Sequence, residues 1–321
     1  MPVSPEDAAA AFRNVLGREP DSEAILRRLC ESPDLRTLYR GLFQSSDYAD
    51  RLRQEVADAA PFVPSKQPAL VFMHIPKTAG TSLHARLTAK VPPAQVCPER
   101  FDRLHTYSIA ELNRYRLFSG HFAYPVTRLI PGRRRVAVTL LREPVTRIVS
   151  AYRFLRAHKP AYFEPRDFGL MRLAHELEPA AFFADERVRS SPWFDNVAAR
   201  MLLGRTDGRR WERLADPRVA AALRLPEDEA AVFEAAARVL DEFSVVGLTD
   251  EFDSFAARVG AAMGLELPED MGRGMVLADM LRSEEFEPVE EVVLDAHLLD
   301  LIEPLVRIDR RLYDRIAEHR G

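Results

Sequence analysis

The sequence predicts an α/β fold, three-layered with a mainly parallel sheet, preceded by a small all-helical module. Three observations predict it. Apolar runs of strand length recur at Leu70–Met73, Val136–Leu141 and Phe243–Leu248, each followed by a helical pattern. Residues 1–60 carry helical apolar spacing only. Between these regions Ala59–Pro68 holds Pro61, Pro64 and Pro68, the composition of a linker. The expected organisation is a helical module over 1–60, a linker over 61–68 and an α/β domain over 69–321.

Composition bounds the function. The 321 residues are 47% hydrophobic, enough for a real core. The formal charge is −4, from 49 acidic and 45 basic residues, so no global field points to nucleic acid. Cys30 and Cys97 are too few and too far apart for a disulfide scaffold or a metal site and read as free thiols. The N-terminal stretch MPVSPEDAAAAFRNVL has acidic residues and no long apolar run, so neither a secretory signal nor a membrane span is expected.

In chain order, Phe12/Val15/Leu16, Ile25/Leu26/Leu29 and Leu38/Leu42/Phe43 form three helical stripes, separated by Gly17, Glu19-Pro20-Asp21 and Ser32-Pro33. Next comes the strand Leu70–Met73, then a turn with Pro76, Lys77 and Gly80, then Thr81 and Ser82 ahead of the i, i+4 pair Leu83 and Leu87. Strand, small-residue loop and helix N-terminus is a phosphate-binding geometry, because first-turn N–H groups lack partners and the helix dipole is positive there. Lys77 adds a charge, and Thr78, Thr81 and Ser82 add hydroxyls. The competing reading is an ordinary turn capped by Thr81. A Walker A loop is excluded, since its lysine follows the last glycine, whereas Lys77 precedes Gly80.

Val91–Arg103, with Pro92-Pro93 and Pro98, reads as an irregular loop, and Leu117–Phe122 as a short strand carrying His121. Val136–Leu141 is a strand ending at Arg142, at the carboxyl edge where open α/β sheets bind ligands. Pro144 starts a helix whose apolar face is Val145, Ile148, Val149, Tyr152 and Leu155, with Arg147 and Ser150 off that stripe. Further helices are expected over Glu178–Ala184, Phe194–Leu203, Glu227–Asp241, Asp250–Met263 and Val289–His319, the last broken at Pro304. Asn196 and Arg200 are either near the cleft or on a solvated face, and Arg133–Arg135 either steers an anion or is merely solvated.

Two of these stretches carry a resemblance. HIPKTAGTSL resembles the 5′-phosphosulfate loop of sulfotransferases that use 3′-phosphoadenosine 5′-phosphosulfate (PAPS), most closely the branch of heparan sulfate 2-O-sulfotransferase and its bacterial relatives. LREPVTRIVSAY is similar to the family's 3′-phosphate element, an arginine at a strand end and a serine eight residues later. The resemblance implies a P-loop-like sulfotransferase fold. It implies that Lys77, Thr78, Ala79, Gly80, Thr81 and Ser82 hold the 5′-phosphosulfate, and that Arg142 and Ser150 hold the 3′-phosphate. In SGHF, His121 matches the branch's catalytic histidine, with Lys77 stabilising the leaving phosphate. Where the branch has a second histidine, this chain has Ser119.

The implied reaction is metal-independent sulfuryl transfer from PAPS to a hydroxyl of a sugar or polysaccharide, leaving adenosine 3′,5′-bisphosphate. A histidine suits the base because its pKa lies near neutrality. His74 is expected to be structural and hydrogen-bonded, and His84 and His105 are rival bases. VLGREPD with LFQSSDYADRL resembles a helical module found ahead of bacterial glycan-modifying transferases, and its expected role is docking of another protein or packing. Animal relatives are Golgi-anchored; this chain is expected to be bacterial and cytoplasmic. The competing classes are a nucleotide-dependent kinase on a related fold and a non-catalytic nucleotide-binding protein.

Overall fold

The computed structural model describes residues 3–58, 65–132, 134–166, 168–206, 214, 217–267 and 285–318. Two compact units divide between residues 63 and 64. The first holds helices α1 (Pro5–Leu16), α2 (Glu23–Cys30), α3 (Leu35–Phe43) and α4 (Ser46–Asp58). Their starts follow from local chemistry: the side chains of Ser4, Ser22 and Asp34 accept N–H bonds at the heads of α1, α2 and α3. Ala8, Ala11, Phe12, Val15, Leu38 and Leu42 form this unit's core.

The second unit contains strands β1 (Ala69–Met73), β2 (Leu117–Gly120), β3 (Arg135–Leu141) and β4 (Val245–Leu248). Its helices are α5 (Gly80–Thr88), α6 (Ile109–Arg114), α7 (Pro144–Arg156), α8 (Pro160–Phe163), α9 (Gly169–Glu176), α10 (Pro179–Ala184) and α11 (Glu186–Arg189). They continue with α12 (Val197–Leu203), α13 (Pro217–Ala222), α14 (Glu229–Asp241), α15 (Phe252–Met263) and α16 (Ala296–Glu318).

The sheet is wholly parallel, in the order β2-β1-β3-β4. Because a parallel sheet is covered on both faces, β1 is buried at every position. Leu70, Phe72, Val136, Val138 and Leu140 face Leu83 and Leu87 of α5 and Phe255 and Val259 of α15. Met73, Ala137 and Leu141 join the core built by α7, α9, α10, α12, α14 and α16. That gives the three layers. Register aligns the strand ends: Met73 lies beside Gly120 on one side and Thr139 on the other. The Thr139 hydroxyl donates to the Met73 carbonyl at 2.9 Å, fixing β3 against β1 at that edge.

Several expectations need correction. The sequence places a broken helix over Val289–His319; α16 instead runs unbroken from Ala296 to Glu318 with Pro304 inside it, and residue 319 lies outside the described residues. Proline removes an N–H and crowds the preceding turn. In that preceding turn Leu301 O accepts from Arg189 Nη1 at 3.4 Å, and just beyond the proline Asn196 clasps the helix backbone. Its N–H donates to Leu305 O at 2.7 Å, and its Oδ1 accepts from the N–H groups of Ile308 and Asp309 at 2.8 and 3.2 Å. Asn196 adopts a left-handed conformation, φ 46°, so the helix expected from Phe194 begins only at Val197. Neither Asn196 nor Arg200 is solvated. Both are buried, and Arg200 pairs with Asp195 and donates to Leu223 O. Arg147, expected off the packed stripe, is buried as well.

Of the Arg133–Arg135 cluster, Arg133 lies outside the described residues; Arg134 is exposed, and Arg135 donates to Thr127 O at 3.1 Å. Both cysteines are free. Among the described residues no helix is long and apolar enough to cross a membrane.

Candidate functional site

The parallel order sets the site. β2, β1 and β3 end at one edge, so the segments leaving them stand side by side: His121 after β2, the 74–82 loop after β1, and Arg142 after β3.

The central loop turns with Lys77 and Ala79 at positive φ, 68° and 58°. Such angles are strained for residues with a Cβ. Thr78 is fully buried and its hydroxyl donates to Ile75 O at 2.8 Å, so the Thr78 hydroxyl braces the turn instead of facing a ligand. α5 begins at Gly80 after Ala79, with no side chain capping it. The reading of a turn capped by Thr81 is thereby corrected: Thr81 sits within the first turn, exposed, and Ser82 follows it, buried. The head of α5 thus has the open N–H groups and positive dipole end that favour an anion. Gly80 is there for space. A Cβ would lie 2.0 Å from the His74 ring.

Lys77 places its ammonium 4.1 Å from the centre of the Phe154 ring on α7. Burial, with the Arg142 charge, pushes its pKa down to about 8. Arg142 donates from Nη1 to Lys77 O and from Nε to Thr146 Oγ1, both at 3.3 Å. Neither cation has a carboxylate within ion-pair distance among the described residues. Glu143 caps α7, accepting from the N–H groups of Val145 and Thr146 at 3.0 and 2.7 Å. Ser150, half-buried two turns into α7, has no hydrogen-bond partner among the described residues.

His121 follows β2 directly. Its Nδ1 lies 2.7 Å from the carbonyl oxygen of His74. A carbonyl only accepts, so Nδ1 carries the proton and Nε2 is left with its lone pair. The ring stacks on His74 at 4.4 Å, with Phe101 and Trp193 at 6.0 and 6.1 Å. Burial, with the charges of Arg100 and Lys77, pushes the His121 pKa down to about 4, against the lesser pull of the His74 carbonyl. The expected near-neutral pKa is therefore corrected: the imidazole stays neutral, with its Nε2 lone pair available, to well below neutrality.

The rivals are placed otherwise. His84 lies 3.0 Å through Nδ1 from the Ser119 hydroxyl, and burial lowers its pKa to about 4. His105 is exposed in a short turn after Arg103. His74 is buried and stacked, but its Nδ1 has no hydrogen-bond partner, so stacking holds this ring where a hydrogen bond was expected.

Sequence reasoning passed over two arginines. Arg147 is buried beneath Arg142 with Nε, Nη1 and Nη2 all unpartnered. It lines a small cavity with Thr78, Arg142, Asp309 and Tyr313. Asp309 of α16 faces it, held by the N–H groups of Ala198 and Ala199 at 3.0 and 2.9 Å. Burial drives the Arg147 pKa down to about 10 and the Asp309 pKa up. Arg100, in the loop before β2, is half-buried near three histidines. No periodic pattern announces either residue. Among the described residues no group of three or more His, Cys, Asp or Glu could hold a metal ion.

A family model described as "Sulfotransferase family" matches residues 61–181, the segment that contains Lys77, His121, Arg142 and Ser150. A protein-tyrosine sulfotransferase of Arabidopsis thaliana is 31% identical to this chain over 86 residues, 26% of this chain and 17% of that protein. The chain therefore spans less than a fifth of that relative's length.

Proposed function

We propose, from the sulfotransferase-family match of residues 61–181, that the chain transfers a sulfuryl group from PAPS to an acceptor hydroxyl. The observation that carries this reading is the side-by-side order at the sheet edge. The open head of α5 and Lys77 lie between His121 on one side and Arg142 on the other. PAPS carries anions at both ends of its nucleoside, and two cations along that edge, Lys77 and Arg142, without carboxylate partners among the described residues, support such a ligand.

The residue chemistry follows. The head of α5, with the Lys77 ammonium, receives the 5′-phosphosulfate. Arg142 grips the 3′-phosphate as a two-pronged donor and Ser150 adds a neutral one. Nε2 of His121 takes the proton from the acceptor hydroxyl as its oxygen bonds to sulfur. The bond from sulfur to the bridging oxygen breaks, its electron pair stays on the phosphate, and Lys77 stabilises that charge. The products are a sulfate ester and adenosine 3′,5′-bisphosphate. The Thr78 hydroxyl donates to Ile75 O and so supports the loop's shape.

The resemblance of HIPKTAGTSL and SGHF to the 2-O-sulfotransferase branch supports a sugar hydroxyl. The similarity to a protein-tyrosine sulfotransferase supports a tyrosyl hydroxyl as the second reading. In the first, the organism is bacterial, the chain cytoplasmic and the helical unit a docking module. Incubation with PAPS, glycans and tyrosine peptides, read by mass spectrometry, tests the activity. Transfer should persist in excess chelator. Loss restored by magnesium would favour a kinase. Adenosine 3′,5′-bisphosphate should raise the melting temperature well beyond adenosine 5′-monophosphate; equal shifts would overturn the roles of Arg142 and Ser150.

A further inference from the structure

Building on the sulfuryl-transfer reading, we infer that Phe154 is the seat that positions Lys77, and that Phe286, from a strap over residues 285–289, holds Phe154 in place. The first observation is that one strand-and-helix pair grips Lys77 at two points. Arg142, at the end of β3, donates from Nη1 to Lys77 O at 3.3 Å, and Phe154, on α7, takes the Lys77 ammonium 4.1 Å from its ring centre. A lysine side chain has many rotamers to choose from. The ring face, negative at its centre, selects among them. Phe154 follows Ser150 by four residues, so the two share a face of α7. The seat therefore keeps the ammonium on the side of α7 that carries Ser150.

The second observation is what stands behind the ring. His158 meets Phe154 edge-on at 4.6 Å, and its Nδ1 donates to Phe154 O at 2.8 Å. Phe286 packs 4.5 Å from the His158 ring and 6.0 Å from Phe154, closing a triangle of rings. Backbone bonds fix Phe286 as well. It forms an antiparallel bridge with His158, flanked by Lys159 N–H to Glu285 O at 2.9 Å and Glu287 N–H to Ala157 O at 2.8 Å. Arg153 Nη2 donates to Val289 O at 3.4 Å. The strap is thus stapled to the end of α7, and its aromatic ring backs the seat.

The third is charge. The Lys77 ammonium makes no ion pair among the described residues, and the strap's carboxylates, Glu285 and Glu287, do not pair with it. Around it stand His74, His121 and His158, each with a pKa lowered first by burial and further by the Lys77 charge. Burial, then the Arg142 charge, brings Lys77 itself down to about 8. A buried ammonium beside a second cation is costly. The ring of Phe154 supplies an attraction that only the charged form feels.

The chain has four lysines, Lys66, Lys77, Lys90 and Lys159, so the full chain isotopically labelled at lysine can be titrated by NMR, with Lys77→Met assigning the signal of interest. Wild-type Lys77 should titrate near 8. Phe154→Leu keeps an apolar side chain and loses the ring face. The charged form then loses an attraction the neutral form never felt, so the midpoint should fall by about one pH unit. Phe154→Tyr should restore it. Phe286→Leu should lower it by less, and should add nothing in the Phe154→Leu background, because it acts through that ring. With PAPS and an acceptor that the wild type sulfates, kcat/KM should fall about tenfold to a hundredfold in Phe154→Leu and recover in Phe154→Tyr. Both phenylalanines are only half-buried, so the leucine variants should fold. A Lys77 midpoint unmoved or raised in Phe154→Leu, a shifted midpoint with wild-type kcat/KM, or effects of the two leucine changes that simply add, overturns the inference. Bisphosphate binding with an unmoved midpoint removes this inference alone; failure of the bisphosphate to bind removes the parent reading with it.

Discussion

His121 Nδ1 donates to the carbonyl oxygen of His74 across 2.7 Å, and this bond selects which imidazole nitrogen remains to accept a proton. The partner is a backbone atom at the end of a buried strand, so no rotamer change can withdraw it. Orientation and tautomer are fixed before any acceptor arrives, the preorganisation that makes a positioned base effective.

The pH profile of kcat/KM should show both perturbed groups. His121 must be neutral, and burial lowers its pKa to about 4, so activity should fall only as the pH drops toward that value. Lys77 must be protonated, and its pKa is lowered to about 8, so activity should decline as the pH rises through that value. An acid limb near 6.5 in a full profile would contradict the burial of His121.

His121→Gln should lower kcat by about a hundredfold to ten-thousandfold, the usual contribution of a general base. Affinity for adenosine 3′,5′-bisphosphate, measured calorimetrically, should stay near wild type. Lys77→Ala should lower both, since one ammonium serves the bound nucleotide and the leaving oxygen. Wild-type turnover in His121→Gln would move the base elsewhere.

Stability should also respond to pH. His84, His121 and His158 all have pKa values lowered to about 4 by burial, against 6.5 ordinarily. As the pH falls below 6.5 the unfolded chain binds protons that the folded chain refuses. The stabilisation is complete above that pH and is lost progressively toward 4. The melting temperature should drop across this window, and less steeply in a His84→Gln/His158→Gln double variant. Identical slopes would count against this account.

Gly80→Ala should cost about 1–3 kcal/mol, as overpacking does. The new Cβ would meet His74, which Phe72 and His121 hold from either side. The strain should pass to His121 and lower kcat too. Denaturant melts of Gly80→Ala with and without His74→Ala provide the check, since the second change opens the space the first one needs.

Asp309→Ala should cost about 1–3 kcal/mol, because it leaves the buried N–H groups of Ala198 and Ala199 without their acceptor and removes the carboxylate that faces Arg147. Combined with Arg147→Met, the cost should be smaller than the sum of the single changes. A double-mutant cycle with additive terms would mean the two groups do not interact.

The strands and the turn between β1 and α5 were legible because buried parallel strands print as unbroken apolar runs, and because Pro76, Gly80 and the hydroxyls mark a turn by local chemistry alone. Arg142 was legible from its place after Leu141. Arg147 was not. It lies opposite the Val145/Ile148/Tyr152 stripe, a position that reads as solvent for a helix with one covered face. α7 is covered again by α16, and the carboxylate facing Arg147 comes 162 residues later, at Asp309. The unbroken α16 was hidden for the same reason: Pro304 signals a break, and the groups that hold the helix on either side of it belong to distant Arg189 and Asn196. Arg100 stands in a loop with no period, and only the pairing of Val96 with Leu117 reveals where it leads.

The clasp between Asn196 and α16 also imposes an order of events on synthesis. A ribosome releases β1, β2 and β3, with every candidate nucleotide contact, long before it releases Ile308 and Asp309. Until then Arg147 has no counter-charge, and the first turn of α12 lacks the carboxylate that receives Ala198 and Ala199. The nascent chain therefore carries the candidate site with the wall that Asp309 supplies still missing. A chaperone that held residues 144–203 until Asp309 emerged would be guarding the interval in which this protein is most exposed to misassembly.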